Sequence, residues 1–315
     1  MNYFTYNKGN LPEGAFRISP SGLSKFFDST SEWYRTNLLG EDAAFAYSTA
    51  SELGRCVHAI AAMYIDKQVD REALNSYIDS LPEDVDKNLI REQVKPMSEC
   101  LINSFLSTVT SSHSEQFIQH EVLPGIYAAG TVDLYDSGRA YYCDEEGLTY
   151  LQSKIENLAY LTANRPKRYV ITELQYDMLN DVLPKTCEMM QFRPGTLYDY
   201  KTMGSLDSAR VPTKFPRAYW FQQACYAYIL TKRGYQVDYM KLVYVTRSNI
   251  NRVSETTGKS LKDYPSECHV LTEEVTPELL NMIEEVLLLV AHSVQHWKDF
   301  PAHRYLLAQD FRLRQ

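Results

Sequence analysis

Apolar residues recur at helical spacing through the first third of the chain and alternate with polar ones in its middle. The pattern predicts helices first and a sheet afterwards. Leu53, Val57, Ile60 and Tyr64 share one face of a helix over 49–66, and Val94, Met97, Leu101 and Phe105 share one face over 86–110. Shorter helices are expected from Ser19-Pro20, with serine as N-cap and proline at the first helical position, through Trp33 up to Gly40, and over 71–80. The period then drops to two. Residues 116–123 alternate as a strand, Pro124-Gly125 turns the chain, and 126–136 form the next strand. Ser137-Gly138 offers a hairpin turn into a strand at Ala140–Cys143, after which residues 144–196 read as helix over about 145–162 and mixed structure beyond. A strand carrying Asp199-Tyr-Lys201 follows, then a helix over 217–233 stopped by Gly234, and a strand over 237–247. A polar loop over 248–267, a helix from Thr276-Pro277 to about 298 and a tail complete an α/β (α+β) chain.

Composition narrows the functional classes. At 315 residues with 44% hydrophobic content the chain can bury a full core, and no apolar run reaches membrane-spanning length. No charged start followed by an apolar stretch marks a signal peptide, so a cytoplasmic location and no membrane partner are expected. Six cysteines stand singly without a Cys-x-x-Cys pair, which favours reduced thiols over disulfides, zinc or an iron–sulfur cluster. A net charge of -8 argues against a general nucleic-acid-binding surface and still allows a local basic groove beside an acidic site.

The chemistry lies in two short strands. Gly130-Thr-Val-Asp133 and Leu197-Tyr-Asp199-Tyr-Lys201-Thr each present a carboxylate. Strand alternation puts Asp199 and Lys201 on one face and Tyr198 and Tyr200 on the other. Magnesium takes hard oxygen ligands and keeps several waters, so two such carboxylates suffice to hold it. Lys201 beside metal-bound water would position the nucleophile or accept a proton, and the Tyr200 carbonyl between them is a further candidate ligand. His58, after Gly54, is a candidate imidazole ligand for manganese or magnesium. Gln222 and Tyr226 fall on one helix face, and Arg210, Lys214 and Arg217 just before them are candidate phosphate contacts. Taken singly, each has a structural alternative: a solvated strand lysine, a packed histidine, a helix face on a sheet, a solvated loop charge. No phosphate-binding loop, serine-hydrolase elbow or His-Glu-x-x-His offers a competing chemistry.

In order along the chain, Gly54-Arg-Cys-Val-His58, Gly-Thr-Val-Asp133, Asp199-Tyr-Lys201 and Gln222-Gln-Ala-Cys-Tyr226 resemble the PD-(D/E)XK nuclease superfamily. They look closest to its RecB/Cas4-like and RecE-like branch, which includes phage exonucleases. The resemblance implies a central mixed β-sheet flanked by helices, a restriction-endonuclease-like core, as one domain over 1–315. A helical part would span 17–115, a catalytic core 116–247 with an insertion at 144–196, and a terminal loop and helix 248–315. It implies a Mg²⁺- or Mn²⁺-dependent DNA exonuclease with Asp133, Asp199 and His58 as ligands, Lys201 as catalytic lysine, and Gln222 with Tyr226 in support. It suggests Glu121 as a further acid, and it leaves room for a strand-annealing partner and a homo-oligomer. An endonuclease of the same superfamily, or an inactive binding module on the same fold, are the alternatives.

Overall fold

The structure, a computed structural model, describes residues 3–5, 9–41, 47–66, 68–109, 114–143, 161–162, 169–172, 188–204, 210–250, 253, 256–260 and 262–300. Capping chemistry sets most helix starts. A 3-10 turn at Pro20–Gly22 precedes α1 (Leu23–Asp28), so that helix begins later than Ser19-Pro20 suggests, and the Ser19 hydroxyl meets Ser21 instead of a helix amide. The Ser29 side chain accepts from the Glu32 amide at the start of α2 (Thr30–Asn37). A reciprocal capping box between Ser48 and Ser51 opens α3 (Thr49–Ile65). Asp70 and Asp86 cap α4 (Arg71–Ser80) and α5 (Lys87–Ser104); α5 ends short of 110, in a 3-10 turn at Leu106–Thr108. Later come α6 (Arg217–Lys232) and α7 (Pro277–Asp299), the second capped by Thr276.

The central sheet is mixed. It contains β1 (Phe16–Ile18), β2 (Ser114–Leu123), β3 (Ile126–Asp136), β8 (Thr196–Met203), β9 (Tyr239–Thr246) and β10 (Cys268–Glu274). β2 and β3 form the expected hairpin, turned at Gly125 with φ +72°. The other side of β3 is shared: β1 lies parallel to its first residues, Ile126 to Ala128, and β8 antiparallel to its last, Leu134 to Asp136. β8 continues parallel to β9, and β9 antiparallel to β10. Gly195, just before β8, lies against the Gln236 carbonyl, where any side chain would collide.

Two cores cover the two faces. Trp33, Tyr34, Ile229, Leu287, Val294 and Trp297 bring α2, α6 and α7 onto Ile126, Ala128, Val132 and Leu197. On the opposite face Leu53, Val57, Ile90, Met97 and Leu101 bring α3 and α5 onto Leu134, Tyr200, Val243 and Val245. The helices therefore flank a central mixed sheet, as the resemblance implied.

Two local expectations are corrected, and one strand was not foreseen. Ser137-Gly138 is not the turn of a hairpin on β3. Instead β4 (Arg139–Cys143) joins β5 (Leu161–Thr162), β6 (Tyr169–Thr172) and β7 (Glu188–Gln191) in a second sheet of order β5-β6-β4-β7. Leu161–Thr162 is strand, and the rest of the helix expected over 145–162 lies outside the described residues. The polar stretch to Glu267 is followed by β10, which Cys268-His-Val-Leu-Thr-Glu-Glu274 hid because only one of its faces meets the protein. Among the described residues Cys56, Cys100, Cys225 and Cys268 are free, with the sulfurs of Cys100 on α5 and Cys268 on β10 3.3 Å apart.

Candidate metal centre

β3 loses its neighbour where the chemistry sits. Its edge between Ala128, the last residue paired with β1, and Leu134, the first paired with β8, makes no strand ladder on that side. Side chains fill the opening. The Arg17 Nε donates to the Ala129 carbonyl at 3.0 Å, and Asp133 Oδ2 accepts the Tyr200 amide at 2.8 Å. The side-chain alternation of β3 also breaks here, since Val132 packs in one core and Leu134, two residues on, in the other.

Glu115 faces this break from β2. The β2–β3 register pairs Ser114 with Leu134 and Gln116 with Val132, so Glu115 lies across from Asp133. Among the described residues it is the one non-glycine with positive φ, at +48°. That backbone state costs energy and persists where surroundings enforce it, a pattern concentrated at functional sites. Two carboxylates opposite each other on neighbouring strands also repel. Strain and repulsion coincide, and a cation between the two acids is what relieves the second.

His58 stands against both acids and supplies that cation. It sits on α3, and its Nδ1 lies 3.5 Å from Asp133 Oδ2 and 3.7 Å from Glu115 Oε1. Its Nε2 is 3.0 Å from the Tyr200 carbonyl, which can only accept, so Nε2 carries a proton and Nδ1 faces the acids. Burial alone would lower the imidazole, but the Asp133 and Glu115 carboxylates hold it well above its ordinary 6.5. Asp133 is opposed by burial yet lowered by His58, Lys201 and the Tyr200 amide, whereas burial and Asp133 push Glu115 up.

The donor set suits a divalent cation. One ligand atom from each of His58, Glu115 and Asp133 lies within 4.8 Å of the others. The carbonyl bond at Nε2 orients the ring with Nδ1 inward, as a backbone acceptor commonly does for a metal-bound histidine. Two hard carboxylates with one imidazole match magnesium or manganese better than a soft-ligand metal.

Asp199 and Lys201 adjoin this group from β8. The Lys201 Nζ is 2.6 Å from Asp199 Oδ2 and sits 4.8 Å from the centre of the Tyr219 ring, while Gln222 Nε2 donates to Asp199 Oδ1 at 3.3 Å. Burial raises Asp199 to about 6 despite the ammonium beside it. Lys201 behaves oppositely: burial would lower it, but Asp199 and Asp133 outweigh burial and raise it above its ordinary 10.5. In this arrangement the lysine is held as an ammonium against Asp199. Tyr226, one turn beyond Gln222 on α6, packs against Gly130; a Cβ there would lie 2.7 Å from its ring and 2.8 Å from its hydroxyl.

The structure brings His58, Asp133, Asp199, Lys201, Gln222 and Tyr226 to one cleft of about 870 Å³. The Tyr200 backbone is held between Asp133 and His58. Asp199 is turned to Lys201 and Gln222 and stands outside the three-residue group. Arg210, Lys214 and Arg217 do not line this cleft; Arg217 pairs with Asp28 at 2.8 Å. Glu121 is at the hairpin end, where it accepts the Gly125 amide at 2.8 Å. Glu121 thus stands apart from the three-residue group, and Glu115 on the same strand stands in it. Arg17, Ser19 and Ser21 line the cleft and were also missed as site residues. Only pairing β2 against β3 in register singles out Glu115.

No family model and no curated protein matches the chain. A solved structure from Eubacterium rectale, of a protein proposed to be an exonuclease, is similar at 12% identity and a TM-score of 0.46, over 90% of this chain and 81% of that one. A likeness that shallow carries no functional argument. Among the described residues no helix is long and apolar enough to cross a membrane.

Proposed function

We propose that this chain is a divalent-metal-dependent nuclease, in its finer form a DNA exonuclease of the PD-(D/E)XK type. The observation that supports it is the convergence of His58, Glu115 and Asp133 from three separate elements, with the Asp199–Lys201 pair alongside in an open cleft. Mg²⁺ or Mn²⁺ held by His58, Asp133 and Glu115, with Asp199 close by, would supply Lewis-acid polarisation of a phosphate and an acidified water.

The chain's own groups divide the remaining work. Lys201, paired with Asp199, would position the attacking water and stabilise negative charge on the phosphoryl oxygens. Gln222 fixes the Asp199 carboxylate from the other side. Tyr226 on Gly130 sets how closely α6 approaches the broken edge of β3. Arg17, Ser19 and Ser21 offer a cation and hydroxyls to the phosphate backbone along the cleft. Arg210, Lys214 and Arg217 are then outlying contacts of the same DNA.

The test uses end-labelled linear duplex and covalently closed circles, each with Mg²⁺ and with EDTA. Metal-dependent loss of linear DNA alone is expected, and cutting of circles would replace exonuclease by endonuclease. Asp199→Ala and Lys201→Ala should each abolish cleavage without unfolding the protein. Undiminished cleavage by either would remove the mechanism, and no cleavage of duplex or single-stranded DNA by the wild type would leave a binding module.

A further inference from the structure

A second cleft of about 300 Å³ adjoins the long one and shares His58, Glu115 and Lys201 with it. Its wall brings together Arg55, Thr202, Tyr219 and Tyr244, and two features of that wall have no role in the metal centre. Arg55 is a cation fixed from behind. Its Nη1 donates to the Tyr77 hydroxyl at 3.2 Å, its Nε is 3.7 Å from Glu52 Oε2, and Tyr77 donates to that same oxygen at 2.6 Å. Glu52 is fully buried, so this carboxylate–phenol–guanidinium chain anchors the arginine at the cleft wall. Tyr244 is the second feature. It stands beside Lys201 in the β8–β9 register, is 3% exposed, and its hydroxyl has no hydrogen-bond partner among the described residues. A buried hydroxyl without a partner, in the wall of a cleft, calls for a ligand that supplies one.

We infer that this cleft seats a single nucleotide unit of the substrate, the one adjoining the bond that is cut, and this rests on the nuclease reading. Arg55 and the Tyr244 hydroxyl bind its phosphate, and the Tyr219 ring on α6 offers an aromatic surface to the base or sugar. The volume is at the lower end for small-molecule sites, which admits one nucleotide and excludes a duplex. A frayed or single-stranded end is therefore the form of DNA that enters, and a free mononucleotide competes with it.

The experiment titrates thymidine 5′-monophosphate, thymidine and inorganic phosphate into the full chain by calorimetry with Mg²⁺ present, and follows linear-DNA cleavage in the same samples. The monophosphate should bind at least tenfold more tightly than either fragment. Tyr244→Phe and Arg55→Lys should each weaken it about tenfold. Tyr244→Phe removes only a partnerless hydroxyl, so its thermal midpoint should be unchanged or raised, which separates ligand binding from folding. Failure of the wild type to bind the monophosphate, or equal binding by both variants, overturns the pocket. Cleavage that persists alongside that failure leaves the nuclease reading intact. Binding that is lost in the variants, from a wild type that cuts no DNA, upholds the pocket and removes the nuclease reading.

Discussion

In the proposed metal centre His58 would serve two states of one site. Its imidazolium neutralises the pair Asp133 and Glu115; a metal ligand must be neutral, so a bound metal would displace that proton. Metal affinity should therefore fall as pH is lowered, and cleavage should weaken below about pH 6, where Asp199 also takes up a proton. The stability consequence has a definite sign. The folded pKa lies above the unfolded 6.5, so the His58 contribution is fully present below 6.5 and is lost as pH rises through the raised value. In EDTA the gap in thermal midpoint between wild type and His58→Gln should be widest below pH 6.5 and close on alkalinisation; a gap that widens with pH would contradict the ion cluster. Glu115→Gln should cost at least ~10-fold in metal affinity, measured by calorimetry, since it removes a charged ligand and leaves the fold in place.

Between elements, the contact of α6 with β3 is set by one glycine. Gly130→Ala would drive a methyl into the Tyr226 ring and destabilise by about 1–3 kcal/mol, with cleavage falling because Gln222 on the same helix leaves Asp199. Truncating Tyr226 to Leu in that background should recover part of the lost stability, and chemical denaturation of the double mutant measures the coupling. The Cys100–Cys268 pair joins α5 to β10 in a different way. A shared proton between the sulfurs lowers Cys100 to about 7, so diamide should close a disulfide, oxidising both thiols as it is reduced. Peptide mapping should find that crosslink, and the oxidised protein should melt at higher temperature, because a bridge across so many residues restricts the unfolded chain.

At the scale of the molecule, the site ties α3, β2 and β3 together, so metal should stabilise the whole fold. At a hundredfold excess of Mg²⁺ over its dissociation constant the gain is about 2.7 kcal/mol, read as a rise in thermal midpoint that Asp133→Asn abolishes. Much of this architecture was legible beforehand. Period and capping residues located α3, α6, α7 and the β2–β3 hairpin, because those are short-range effects written in neighbouring residues. The alternation of Asp199 with Tyr200 assigned each to its own face for the same reason. What only the tertiary structure decided is long-range: that β3 turns from β1 to β8 and leaves Asp133 on an open edge, that β4 departs to a second sheet, and that Glu115, not Glu121, is the acid across from it. Strand pairing and register arise from contacts between residues far apart in the chain, and one step of register moves every side chain to the other face.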